Sequence, residues 1–200
     1  MLLHLAAGGV GSQLGQAACL LGAGRVVGTV GSEAKVETAR SFGYDEVILR
    51  DRVADAGEFD VVVDVVGGPA RRASLDRLAP MGRLMVMGNA SDAEDVGFPA
   101  NELWFTNKTP SPVSTWPPSP PHSPREAGQA LRRAVAAAAK DEPAGTCRAL
   151  PLEQAAEAHR RIESGTTNGK LVLEVRLTPC RRRLRKRGSQ VPPVFCSGTA

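Results

Sequence analysis

Residues 3–22 read LHLAAGGVGSQLGQAACLLG, an apolar run that passes through a glycine cluster and straight into a helical pattern. After Gly11, the residues Leu14, Ala17, Ala18 and Leu21 recur at helical spacing. A short strand, a glycine turn and a helix in that order form a bed for a phosphate. The helix N-terminus offers backbone N–H donors and the positive end of its dipole. Gly8 lets a backbone approach a pyrophosphate and Gly11 lets the helix lie close on the strand. A strict G-x-G-x-x-G would need glycine at position 6, where Ala6 stands, so the match is Ala6-x-Gly8-x-x-Gly11 with Gly9 in addition. The same glycines could serve turn geometry alone. No G-x-x-x-x-G-K-[ST] occurs, which excludes a P-loop nucleotidase.

The alternation continues outward from that stretch. RVVGTV predicts a second strand, with Ser32 at the N-cap of the next helix and Gly43 closing it. EVIL, DVVVDVV and RLMVMG predict a third, fourth and fifth strand, with a helix from Pro69 between the last two. Continuous apolar strands alternating with helices imply a parallel sheet covered on both faces, an α/β Rossmann-type doubly wound fold. Only residues 50–59 link the third and fourth strands, so the crossover helix there is expected to be vestigial. The sheet is expected to be interrupted after the fifth strand, because residues 109–124 are proline-rich and lack periodicity. This gives a core over 1–108, an irregular segment over 109–124, helices and a closing strand over 125–175, and a disordered basic tail over 176–200.

That tail dominates the charge. Seven of the 25 basic residues lie in 176–200 with no acid, leaving 18 against 21 acidic residues in the remainder. The net charge of +4 therefore says little about the body's partners, and nucleic acid would be met only through the tail. Cys19, Cys147, Cys180 and Cys196 are scattered with no C-x-x-C, against a zinc site or a disulfide framework. No segment reads as a signal peptide or a membrane span, so the cytoplasm is the expected location.

An NAD site usually carries Asp or Glu at the end of the second strand for the ribose 2′-hydroxyl. Here Gly31, Ser32 and, one helical turn on, Lys35 occupy that region, which suits a 2′-phosphate and favours NADP(H) over NAD(H). Glu33 is the contrary sign, although at a helix start it favours the dipole. His4 and His159 read as structural and Cys19 as core. Asp64 reads equally as turned toward a cofactor or capping a loop, and Arg71 and Arg72 as a solvated helix face.

AAGGVGSQLGQAACLLGA, RVVGTVGSEAKVETARSFGYDEVI, DVVVDVVGG, LAPMGRLMVMGNAS, NELWF and LPLEQAAEAHRRIESGTTNGKLVLEV occur in that order. Across 2–108 and 148–175 the chain resembles the medium-chain dehydrogenase/reductases, in particular the zinc-independent NADPH:quinone oxidoreductase type. The resemblance implies a hydride passed from NADPH to a quinone or enone. Gly8, Gly9, Val10 and Gly11 would lie at the pyrophosphate and Ser32 and Lys35 at the 2′-phosphate. Val66, Gly67, Gly88 and Asn89 would line the nicotinamide half. No catalytic acid or base is assigned, no zinc is expected, and a homodimer is a further expectation. Family members begin with a GroES-like substrate domain, and this chain, whose first strand opens at Leu2, is expected to lack it. Leu152, Ile162 and Val172 are then expected to lack a partner surface. Two alternatives stay open: a non-catalytic dinucleotide-binding module, and a frameshifted basic interaction protein without activity.

Overall fold

The structure is a computed structural model that describes residues 1–113, 124–139 and 146–175. The basic tail, Cys180, Cys196 and residues 114–123 lie outside the described residues.

Consecutive apolar residues on each strand point to opposite faces, and both faces are covered. Leu3, Val26 and Val63 enter one cluster with Ala18, Ala39, Phe42 and Tyr44. Leu2, Val27 and Val62 enter the other with Val53, Leu75, Leu78 and Leu84. A period of two with no polar face explains why these strands read as unbroken apolar runs.

The strands are β1 (Leu2–Leu3), β2 (Val27–Val30), β3 (Glu46–Leu49), β4 (Phe59–Asp64), β5 (Leu78–Val86) and β6 (Thr109–Pro112). They form one parallel sheet in the order β3-β2-β1-β4-β5-β6, the doubly wound Rossmann order. Helix α1 (Gly11–Leu20) and α2 (Val36–Arg40) cover one face, and α3 (Gly68–Asp76) covers the other. The link between β3 and β4 is a 3-10 turn, Arg50–Asp55, anchored by the buried Val53, as its length foretold. Gly43 closes α2 with φ +84°, whereas Ser32 sits at the expected cap position and makes no side-chain cap bond.

The sheet runs one strand further than expected. β6 occupies the start of the segment read as irregular, and its prolines are compatible with an edge. Val113 N–H donates to Val86 O at 2.8 Å, so by alternation Ser111 and Thr109 face β5. Pro110 and Pro112 then turn their donor-less nitrogens away from the ladder. β5 is itself bulged: Leu78 pairs with Phe59, and regular pairing resumes only at Arg83 with Val61.

Beyond α4 (Ala100–Thr106) and α5 (Pro124–Ala138), β7 (Cys147–Pro151) pairs in parallel with β8 (Lys170–Glu174), with α6 (Ala155–Glu163) between them. This unit joins the main sheet at the glycine turn, where Gly8 bridges Gly169 and Gly169 N–H donates to Ala7 O at 2.8 Å. Leu152, Ile162 and Val172 are exposed.

Candidate dinucleotide site

The glycine turn is built by close approach. A Cβ on Gly11 would fall 2.1 Å from Leu5 O and 2.7 Å from Ala6 Cα, both immovable backbone. Gly8 N–H donates to Leu5 O at 2.8 Å, and Ser12 N–H to Gly8 O at 2.9 Å, which turns the chain into α1. The buried Tyr44 packs its ring on Gly15 and Gly28 and donates from its hydroxyl to Gly11 O at 2.7 Å. Burial raises its pKa, so it stays a donor. No acidic residue lies in the first turn of α1, leaving the positive dipole end uncompensated there.

This turn opens on a cavity of about 640 Å³ at the C-terminal ends of β1, β2 and β3, the ligand position of open α/β sheets. Its walls are Ala7 and Gly8, Ser32 and Lys35, Arg50, and residues 164–168. A cleft of about 490 Å³ beside Met1, Leu14 and Phe59 opens at the opposite, N-terminal ends of the strands. The Lys35 ammonium donates to the carbonyl of Gly165, and to that of Thr167 at 3.0 Å. Burial, and then the positive charge of Arg50, lower its pKa. Arg50 Nε is buried without a hydrogen-bond partner among the described residues.

Gly8, Ser32 and Lys35 are thus together in one cavity. Gly9, Val10 and Gly11 form the turn beside it, with the Lys170 side chain lying over Gly9. Val66, Gly67, Gly88 and Asn89 form a second group. Val66 and Gly67 are buried, Gly67 has φ +81°, and a Cβ there would fall 1.9 Å from Asn89 Oδ1. Sequence reasoning missed Arg50 and residues 164–168. Position at a strand's C-terminal end was a usable signal for Arg50. Nothing local marked the 164–168 segment.

Two other expectations are corrected. Arg71 is buried, not solvated, because Asp64 at the end of β4 draws its guanidinium inward, Nε to Oδ2 at 2.8 Å. Asp64 also accepts from the N–H groups of Val66 (2.8 Å) and Gly67 (3.0 Å), so it caps that loop. Cys19 is exposed, because Ala18 takes the buried side of α1 and the Cys19 thiol turns to Gly43 O. His4 is structural as expected, fully enclosed between Thr29 and Ser74.

A profile of the zinc-binding dehydrogenases matches residues 9–122, more than half of the chain. The chain belongs to that family. It is an NADPH:quinone oxidoreductase-like member of the medium-chain dehydrogenase/reductases. A 2-haloacrylate reductase from Burkholderia is 31% identical, the match covering 86% of this chain and 54% of the relative. A quinone oxidoreductase of Pseudomonas aeruginosa is 41% identical over 100 residues, 46% of this chain and 30% of the relative. The quinone oxidoreductase of Escherichia coli, solved with NADPH, superposes with a TM-score of 0.73 at 29% identity, covering 86% of this chain and 56% of that one. The chain spans about half the length of such relatives or less. The family is named for zinc binding, yet among the described residues no three His, Cys, Asp or Glu side chains converge to hold a metal.

Proposed function

We propose that the chain holds the cofactor-binding half of an NADP(H)-dependent oxidoreductase of the quinone or enone reductase type. The observation that carries this reading is the cationic floor of the 640 Å³ cavity, where Lys35 and Arg50 stand in place of the carboxylate an NAD site needs. The turn from Gly8 to Gly11 and the N-terminus of α1 hold the pyrophosphate. Ser32, Lys35 and Arg50 hold the 2′-phosphate, the orphaned Arg50 Nε supplying one donor. A phosphate displaces the carbonyls of Gly165 and Thr167 from Lys35, because it meets the ammonium with a full opposite charge where a carbonyl offers only a dipole. The nicotinamide, when bound, supplies the hydride. This chain's residues bind and orient it, and none is assigned as acid or base. The cytoplasm is the compartment that fits this reading.

Thermal unfolding with NADPH and with NADH tests it. A ligand at a hundred times its dissociation constant stabilises the native state by about 2.7 kcal/mol. The expected result is a clear shift with NADPH and little with NADH at equal concentration. Lys35→Ala is expected to weaken NADPH roughly 10- to 100-fold, the value of a bond to a charged group, and to leave NADH unchanged. Equal response to both cofactors overturns the 2′-phosphate assignment.

A further inference from the structure

The buried pair Asp64–Arg71 is unusual for an apolar strand end. A buried ion pair is weak evidence for stability, since well-packed apolar residues often serve as well or better. What an apolar pair could not do is tie three segments at fixed spacing. The planar guanidinium, with five donors in a rigid fork, does so. Its Nε donates to Asp64 Oδ2 at 2.8 Å, Nη2 to Gly88 O at 2.7 Å and Nη1 to Asp95 Oδ1 at 2.7 Å. Asp64 holds the N–H groups of Val66 and Gly67 with its other oxygen. The loop after β4 and the loop after β5 are therefore locked through one side chain on α3. Backbone bonds from Ala90 N–H to Val65 O and from Ser91 N–H to Val66 O complete the contact.

We infer that Arg71 is the positioning residue of the nicotinamide half: it sets the spacing between the loop at Val66 and Gly67 and the loop at Gly88 and Asn89. The inference rests on the cofactor reading above. Arg71 touches no ligand in this role; it acts through the two loops. The adenosine-side cavity of Ser32, Lys35 and Arg50 is built from other segments and does not depend on it.

The test compares NADPH with 2′,5′-ADP, which carries the adenosine half alone, by calorimetric titration of the full chain. Asp95→Ala removes the outer tether at a side chain 84% exposed, so the core is untouched. Arg71→Lys keeps the charge beside Asp64 and loses the fork. Both variants are expected to weaken NADPH fivefold or more and to hold 2′,5′-ADP within twofold. An unchanged NADPH to 2′,5′-ADP ratio in both variants overturns the positioning role, and so does a parallel loss of both ligands, which would mark Arg71 as structural only. A wild-type chain that binds neither ligand fails the cofactor reading itself, and the positioning role falls with it.

Discussion

His4 should make this fold acid-sensitive well above the carboxylate range. Its imidazole is enclosed between Thr29 Oγ1 at 2.9 Å from Nδ1 and Ser74 Oγ at 2.7 Å from Nε2. Ser74 donates its own proton to Ala70 O at 2.7 Å, so its oxygen accepts from Nε2–H, and Nδ1 accepts from Thr29. The neutral ring is fully satisfied, and a second proton on Nδ1 would face a donor. Burial lowers the pKa from 6.5 to about 4, with Asp64 opposing and Arg50 assisting. The unfolded chain therefore takes up a proton between pH 6.5 and 4 that the folded chain refuses. Stability is complete above that window and falls as pH falls through it. Between pH 7 and 5 the loss amounts to about 2 kcal/mol. Urea unfolding at the two pH values reads it as a drop in midpoint at constant slope. A titration of the His4 ring protons by nuclear magnetic resonance checks the cause independently of stability. A pKa near 6.5 in the folded chain, or equal midpoints at pH 7 and 5, would refute the reasoning.

Two backbone predictions need no ligand. Gly11→Ala places a methyl against Leu5 O and Ala6 Cα, so it should cost about 3 kcal/mol, the upper end for overpacking. Gly24→Ala, with nothing within 4 Å, should stay within about 0.5 kcal/mol, and urea midpoints of the two variants compare them directly. Met81 is exposed and holds φ +66° inside the β5 bulge, a conformation that costs a side-chain residue about 1 kcal/mol. Met81→Gly is therefore expected to raise the melting temperature by a few degrees, as seen by calorimetry.

The parts of the fold that were legible are those where one local cause sets the structure. Val26 and Val27, or Val62 and Val63, each face a different buried cluster, so an unbroken apolar run could only be a strand covered twice. The short link after β3 followed from its residue count. β6 escaped because Pro110 and Pro112 argue against a strand until its edge position is known. Arg71 was misread because helical spacing tells which residues share a face and not which face a neighbour covers. The corrective signal was Asp64, a carboxylate inside DVVVDVV, which on burial had to find a cation.

The candidate site divides along the same line. Gly8, Ser32 and Lys35 lie within the first two strand–helix units, and their spacing alone brings them to one end of the sheet. Residues 164–168 reach Lys35 from 130 positions away, through the bridge at Gly169, and no periodicity encodes that contact. Yet this distant segment supplies the clearest electrostatic clue. Two cations, Lys35 and Arg50, face one cavity closely enough for Arg50 to depress the Lys35 pKa, and among the described residues the Lys35 ammonium is met by the neutral carbonyls of Gly165 and Thr167. Like charges held together at a partly buried site are unfavourable on their own. A dianionic phosphate is the ligand chemistry that would reverse the sign, and the turn at Gly8, proposed above to hold the pyrophosphate, lines the same cavity.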